Sequence, residues 1–224
     1  MFNKLRLTSS VIIFAIIMLP SVCFAQTDTL PPTLTLLTLN NFGYKRGVIP
    51  LSATATDSQS GLASISFYSS GALLGSSTSS PCDINWNSAA TKANGVVEIT
   101  AIATDKEGNV AQASLEKIKI DNFRPITFAP RKAVTNNKKV AKLYWKVFDP
   151  FTGNRAYVVI RIRKGKKLVK SIKLDKNIYA TINKTNSFKY AFKLPAGKYR
   201  FYVYATDQAG NTQGNVASNT LVVN

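Results

Sequence analysis

Eleven carboxylates and no histidine limit what chemistry this chain can do. Without His it lacks the commonest general base and metal ligand, which excludes His-dependent triads and His-bearing zinc sites. Paired acids for glycoside hydrolysis need two carboxyl groups about 5–9.5 Å apart across a cleft. The acids are Asp28, Asp57, Asp83, Glu98, Asp105, Glu107, Glu116, Asp121, Asp149, Asp175 and Asp207, most of them expected in turns or at exposed strand positions. Neither a Gly-x-Ser-x-Gly elbow nor a phosphate-cradling Gly-rich loop is present. The chain is read as a non-enzyme without a cofactor.

Two turns recur: Asp105 to Asn109 and Asp207 to Asn211, each spelled Asp-x-x-Gly-Asn. With Asp57 in an earlier loop they offer the oxygens that suit Ca²⁺, a hard cation. The competing reading is capping, with Asp bonding backbone N–H groups while Gly and Asn take left-handed conformations. A motif repeated at the same place in each half needs no ion, and few carboxylates lie near either turn in sequence. No metal site is expected.

The basic residues carry the stronger signal. The chain holds 29 Lys+Arg against 11 Asp+Glu, unevenly spread. Residues 26–122 hold 6 basic and 8 acidic side chains; residues 123–224 hold 21 and 3. Arg161 and Arg163 alternate with Ile160 and Ile162, Lys164-Gly165-Lys166-Lys167 forms a tip, and the return strand carries Lys170 and Lys173. The expected neighbouring strand presents Lys198, Arg200, Tyr202 and Tyr204 outward. Arg161, Arg163, Lys164, Lys166, Lys167, Lys170, Lys173, Lys198, Arg200 and Tyr202 form the candidate polyanion-binding patch. Crowded like charges cost stability, and a polyanion relieves that cost with counterion release and a steep salt dependence.

Plain solvation competes with this reading. Outward strand positions must be polar, Lys guards sheet edges, and charge favours solubility. The opposite face also carries Lys142, Lys146, Lys189 and Lys193. Solubility does not, however, require one sign in one half only. Charge without a base-reading motif suits phosphate or sulfate contact. The partners expected are an anionic polysaccharide, an envelope polymer or an anionic lipid surface, with no sequence-specific nucleic acid. The alternative is a structural or adaptor subunit of a cell-surface assembly that binds a protein partner.

The elements that must carry these residues are short strands with period-2 alternation. Ile49, Leu51, Ala53 and Ala55 share one face, as do Leu143, Trp145 and Val147, and Tyr199, Phe201, Val203 and Ala205. The repeated turns lie 102 residues apart, about one immunoglobulin-type sandwich. The expectation is an all-β chain of two tandem immunoglobulin-like antiparallel β-sandwiches, residues 26–122 and 123–224, meeting near Asp121 to Pro125 where Pro discourages helix. Ahead of them, Lys4 and Arg6, the apolar run Val11 to Leu19, Pro20 and Cys23-Phe24-Ala25 read as a signal peptide, residues 1–25, cleaved near Ala25. Its apolar run is too short to span a bilayer, and no later segment is long enough. A secreted, periplasmic or cell-surface location follows. Only Cys82 then remains, and a small buried apolar role suits it; pairing between chains stays open.

Residues 31–121 resemble the bacterial immunoglobulin-like domains. The matching text is Pro32, Ala53-Thr54-Ala55-Thr56-Asp57 with Gly61, Ile65-Ser66-Phe67-Tyr68, Gly71-Ala72-Leu73-Leu74-Gly75, Pro81 with Trp86, Asn94-Gly95, and Ala103-Thr104-Asp105 with Gly108-Asn109. Residues 125–224 resemble a divergent relative nearer fibronectin type III-like modules, with Leu194-Pro195-Ala196-Gly197-Lys198-Tyr199 similar to a tyrosine corner. The resemblance implies sandwiches used for adhesion, spacing or carbohydrate contact, seldom catalysis.

Overall fold

The computed structural model describes residues 27–36, 43–136, 139–174 and 180–224. The signal segment and its cleavage near Ala25 lie outside them. Among the described residues all regular structure is strand, and no helix is long and apolar enough to cross a membrane.

The first module runs through β1 (Thr33–Leu36), β2 (Tyr44–Lys45), β3 (Val48–Thr56), β4 (Leu62–Ser69), β5 (Ala72–Ser77), β6 (Cys82–Asn87), β7 (Gly95–Asp105) and β8 (Val110–Ile120). The second follows with β9 (Ile126–Phe128), β10 (Ala133–Val134), β11 (Val140–Phe148), β12 (Arg155–Lys164), β13 (Lys167–Lys173), β14 (Ala180–Thr181), β15 (Thr185–Ala191), β16 (Gly197–Thr206) and β17 (Ala217–Val223). Each module stacks a three-stranded sheet on a larger one: β1-β3-β6 on β2-β8-β7-β4-β5, and β15-β11-β9 on β10-β17-β16-β12-β13 with β14 beside β12. The strand order is the same in both, as the repeated turns imply. The sandwiches are antiparallel as expected, with one parallel addition at the edge of each large sheet. The two-residue strands β2 and β10 pair parallel with β8 and β17, covering one edge of each large sheet.

Alternation sets the layers, because successive side chains leave a strand on opposite faces. The inward residues of β3, Ile49, Leu51, Ala53 and Ala55, join Ile65, Phe67, Trp86 and Ile99 in one core. Leu143, Trp145 and Val147 of β11 meet Ile160, Ile162, Phe201, Val203 and Leu221 in a second. Between the modules, residues 121–125 are bonded on both sides. Asp121 N–H donates to the Lys45 carbonyl at 2.8 Å, and the Asn122 amide donates to Ala93 O and Ser88 Oγ. On the other side, Arg124 Nε donates to Thr212 O at 3.2 Å and Gly214 N to Pro125 O at 2.9 Å. Arg46 of the first module also donates to Ala209 O of the second.

Two local features match their sequence reading. The Tyr199 hydroxyl donates to Pro195 O at 2.8 Å, closing the corner that leads into β16. Cys82 is fully buried, its Sγ donating to Ile65 O at 3.7 Å, and burial raises its thiol pKa. Tyr199→Phe is expected to cost about 1 kcal/mol in denaturant unfolding, the ordinary worth of one such bond. The Cys82 thiol is expected to resist a disulfide-exchange reagent in the folded chain and to react at once in denaturant, because a buried protonated thiol is a poor nucleophile.

Candidate basic face and aspartate clusters

The large sheet of the second module sets the geometry of the basic residues. Strand β12 lies between β13 and β16, with Arg161 opposite Ser171 and Tyr202, and Arg163 opposite Leu168 and Arg200. Val159 is opposite Lys173 and Tyr204. The outer face therefore carries Arg161, Arg163, Lys173, Lys198, Arg200, Tyr202 and Tyr204, all exposed or half-buried. The Arg161 guanidinium lies over the Tyr204 ring at 4.5 Å and that of Arg163 over Tyr202 at 5.8 Å. Rings that hold guanidinium groups this way keep them extended along the sheet, at about 0.5–1 kcal/mol each for exposed pairs.

Not every predicted member joins this face. Lys164, Lys167 and Lys170 fall on the inward phase. Lys170 pairs with the core residue Ile162, because the register shifts between Ile162 and Arg163 and moves the outgoing strand by one residue. Its ammonium lies over the Tyr190 ring of the other sheet at 5.9 Å. Lys164, opposite Lys167, extends over the buried Tyr199 ring at 5.6 Å. These lysines, with Lys166 in the turn, line the open end and edge of the sandwich beside the face. Lys166 also accepts a long bond from Arg163 Nη1 on its carbonyl, at 3.4 Å.

Arg163 and Arg200 are direct cross-strand neighbours, an arrangement that is destabilising for like charges. No described carboxylate offsets them. Of the module's acids, Asp149 and Asp207 are buried and Asp175 lies outside the described residues. Asp207 follows the far end of β16, seven residues from Arg200, about 23 Å along an extended strand. That exceeds the Debye length of about 8 Å in physiological salt. The smaller sheet also pairs Lys142 with Lys189, beside Tyr144, over which Lys142 and Arg131 lie at 5.1 and 5.0 Å.

The aspartates depart furthest from expectation. The sequence places most acids in turns or at exposed strand positions, with few near each turn; Asp105 and Asp207 do head turns, yet they are buried, as are Asp28, Asp121 and Asp149. They meet in two groups, Asp28 with Asp57 and Asp105, and Asp121 with Asp149 and Asp207, each presenting carboxylate oxygens within 4.8 Å of one another. The groups are built alike. Asp105 Oδ1 accepts from Asn109 N, and Oδ2 from Asn109 Nδ2; Asp207 does the same with Asn211. The Asn amide donates onward to the carbonyl of the entering segment, Asp28 O in one module and Asp121 O in the other. Gly108 and Gly210 sit at φ 91° and 87°, a conformation that penalises any Cβ. Asp thus caps both turns and Gly takes the left-handed conformation as expected, but Asn109 and Asn211 do not; they act through their side-chain amides instead.

The groups differ in how their remaining oxygens are satisfied. Asp28 uses Oδ1 for Leu30 N and Oδ2 for Ser60 N. Its carboxyl pKa is lowered, chiefly by the Leu30 N–H. At Asp105 burial works against ionisation, but the bonds from Asn109 and Glu107 outweigh it and the pKa is lowered. In the second group Asp121 Oδ1 accepts from Phe123 N, and Asp149 Oδ1 from Phe151 N and Thr152 N. Oδ2 of each is buried without a hydrogen-bond partner among the described residues. Burial, then the charge of Asp149, pushes Asp121 up to about 6; burial also raises Asp149.

Residues 32–101 match the family model of the bacterial Ig domain. No curated protein matches the chain. Among solved structures, the fibronectin(III)-like modules of Clostridium thermocellum CbhA are similar at 16% identity, covering 85% of this chain and 94% of that one, with a TM-score of 0.39. Dimeric latent PorU from Porphyromonas gingivalis is similar at 14% identity over 88% of this chain and 21% of that one, with a TM-score of 0.32. The human OSCAR ligand-binding domain is similar at 10% identity over 87% and 98%, with a TM-score of 0.31.

The buried acids give the metal-free chain an unusual pH response. The folded pKa of Asp121, about 6, lies above its ordinary 3.8, so the fold favours the protonated form and loses stability as pH rises between those values. Asp28 and Asp105, whose pKa values are lowered, act in the opposite sense and only as pH falls toward and below 3.8. In the presence of a chelator the melting temperature is expected to fall from pH 4.5 to pH 7, and Asp121→Asn is expected to flatten that slope. A melting temperature that climbs across this range would contradict the assignment.

Proposed function

We propose that this chain is a non-catalytic attachment module that binds an anionic polymer or anionic surface through the outer face of β12, β13 and β16. Bacterial Ig domains are as a rule non-catalytic and work outside the cell or at its surface, and residues 32–101 are of that kind. The observation that carries the reading is the directly opposed pair Arg163 and Arg200, flanked by Arg161, Lys173 and Lys198, with no described carboxylate on the face. A sulfate or phosphate between the two guanidinium groups turns a repulsive pair into two charge-assisted contacts. Arg suits this better than Lys, since its planar fork matches such anions and its ring stacking fixes its direction. Tyr202 and Tyr204, already covered by guanidinium groups, act by positioning Arg163 and Arg161.

The first module serves in this reading as a nearly neutral spacer. The bonded joint presents the basic end of the second module away from it, since β16 runs from Arg200 toward Asp207 at the joint. Lys164, Lys166, Lys167 and Lys170 contribute field at the rim rather than contacts on the face.

The test is retention of the two-module chain on heparin–agarose and on anionic vesicles across a salt gradient. The wild type is expected to elute with a steep salt dependence. Each basic residue near an anionic surface contributes about 1 kcal/mol, so the triple reversal R161E/R163E/R200E is expected to weaken retention by roughly 100-fold at low salt, with the melting temperature unchanged or raised. The control K142E/K189E, on the opposite sheet, is expected to retain most of the binding. Equal retention by the triple variant, or loss confined to the control, overturns the site. A protein partner captured in high salt and unaffected by either variant favours the adaptor reading.

A further inference from the structure

We propose that Asp121, Asp149 and Asp207 form a calcium site that fastens the second module to the segment joining it to the first. Asp121 is fully buried and Asp149 is 1% exposed, yet no hydrogen bond from the described residues reaches Oδ2 of either. A buried acceptor left bare costs about 1–3 kcal/mol, and more when charged. Two bare oxygens beside a third buried carboxylate, all within 4.8 Å, make an arrangement that a bound cation satisfies.

The other trio acts as an internal comparison. It is built on the same Asp-x-x-Gly-Asn turn, but Ser60 N reaches Asp28 Oδ2, and Asp57 is half-buried. That group is a completed cap. In the second trio the N–H groups of Phe151 and Thr152 both go to Asp149 Oδ1, and Gln208 N goes to Thr152 Oγ1. Among the described residues no hydrogen bond reaches Oδ2 of Asp121 or Asp149, and the Thr152 hydroxyl near Asp121 cannot serve both.

The donor set selects the ion. All three ligands are carboxylates, without His or Cys, so soft and borderline metals are disfavoured. Ca²⁺ accepts six to eight oxygens in flexible geometry at about 2.3–2.6 Å, whereas Mg²⁺ demands a near-ideal octahedron and sheds water reluctantly. Three carboxylates already fixed by backbone bonds suit the more tolerant ion. Placement gives the consequence: Asp121 directly follows β8, while Asp149 and Asp207 belong to the loops after β11 and β16. A shared ion ties the connecting segment to both loops, and Asn211 already holds Asp121 O at 2.9 Å.

The experiment uses the two-module chain stripped with chelator and titrated calorimetrically with CaCl₂, and in parallel with MgCl₂. One calcium per chain is expected, with binding at least 10-fold tighter than magnesium and a melting temperature raised by several degrees at saturation. Asp149→Asn keeps the oxygen that caps Phe151 and Thr152, so it is expected to fold and to lose the calcium response. Asp57→Asn, in the other trio, is expected to keep it. No calcium binding by the folded wild type, binding retained in D149N, loss in D57N, or equal affinity for magnesium overturns the assignment. Heparin retention does not enter this result, so failure of one proposal is distinguishable from failure of the other.

Discussion

A two-layer sandwich without helices has one governing constraint: each strand sends alternate side chains into a core that offers no hydrogen bonds. In the second module Val158, Ile160 and Ile162 therefore point inward while Arg161 and Arg163 must point out. A carboxylate can enter the interior only where strands end, because only there are backbone N–H groups released from the ladder. That is where Asp105, Asp149 and Asp207 lie. The same rule thus divides the molecule's charges. Cations spread over the outer faces, and anions collect at the strand ends.

The two modules show how far one plan can diverge while its hydrogen bonds are kept. Asp207 and Asn211 repeat the bonds of Asp105 and Asn109, down to the amide that holds the entering segment. Among the donations that differ, Glu107 N to Asp105 Oδ1 has no counterpart at Asp207, and Ser60 N to Asp28 Oδ2 has none at Asp121. Losing that donation beside a deeper Asp149 turns a satisfied cap into a group short of positive charge. The shortfall falls at the joint, where Arg46 and Arg124 spend their donors on carbonyls of the second module and not on the carboxylates.

Much of this was legible in the sequence because alternation is a local property. The buried faces of β3, β11 and β16, the pairing of β12 with β16 and the corner at Tyr199 all follow from residues read in order. Two things were not. The register shift after Ile162 places Lys170 opposite a core residue, and no period-2 count survives an extra residue in one strand. The aspartate groups draw on three separate segments each, such as 121, 149 and 207. Counting acids near one turn cannot find them; the repeat of Asp57 and Asp149 at matching places after β3 and β11 was the available signal.

The proposed roles divide along the length of one strand. Strand β16 begins beside Arg200 and ends at Asp207, and the intervening 23 Å or so is more than twice the Debye length in physiological salt. An ion at the joint therefore adds almost nothing to the field at the basic end, and an anionic polymer there does not compete for the ion. Their link is mechanical. Binding through one rigid face gains from a fixed joint, because a first module free to swing would lose orientational entropy on attachment. Calcium would in that case strengthen retention modestly and without changing its salt slope, since the slope counts neutralised anionic sites and the joint touches none of them.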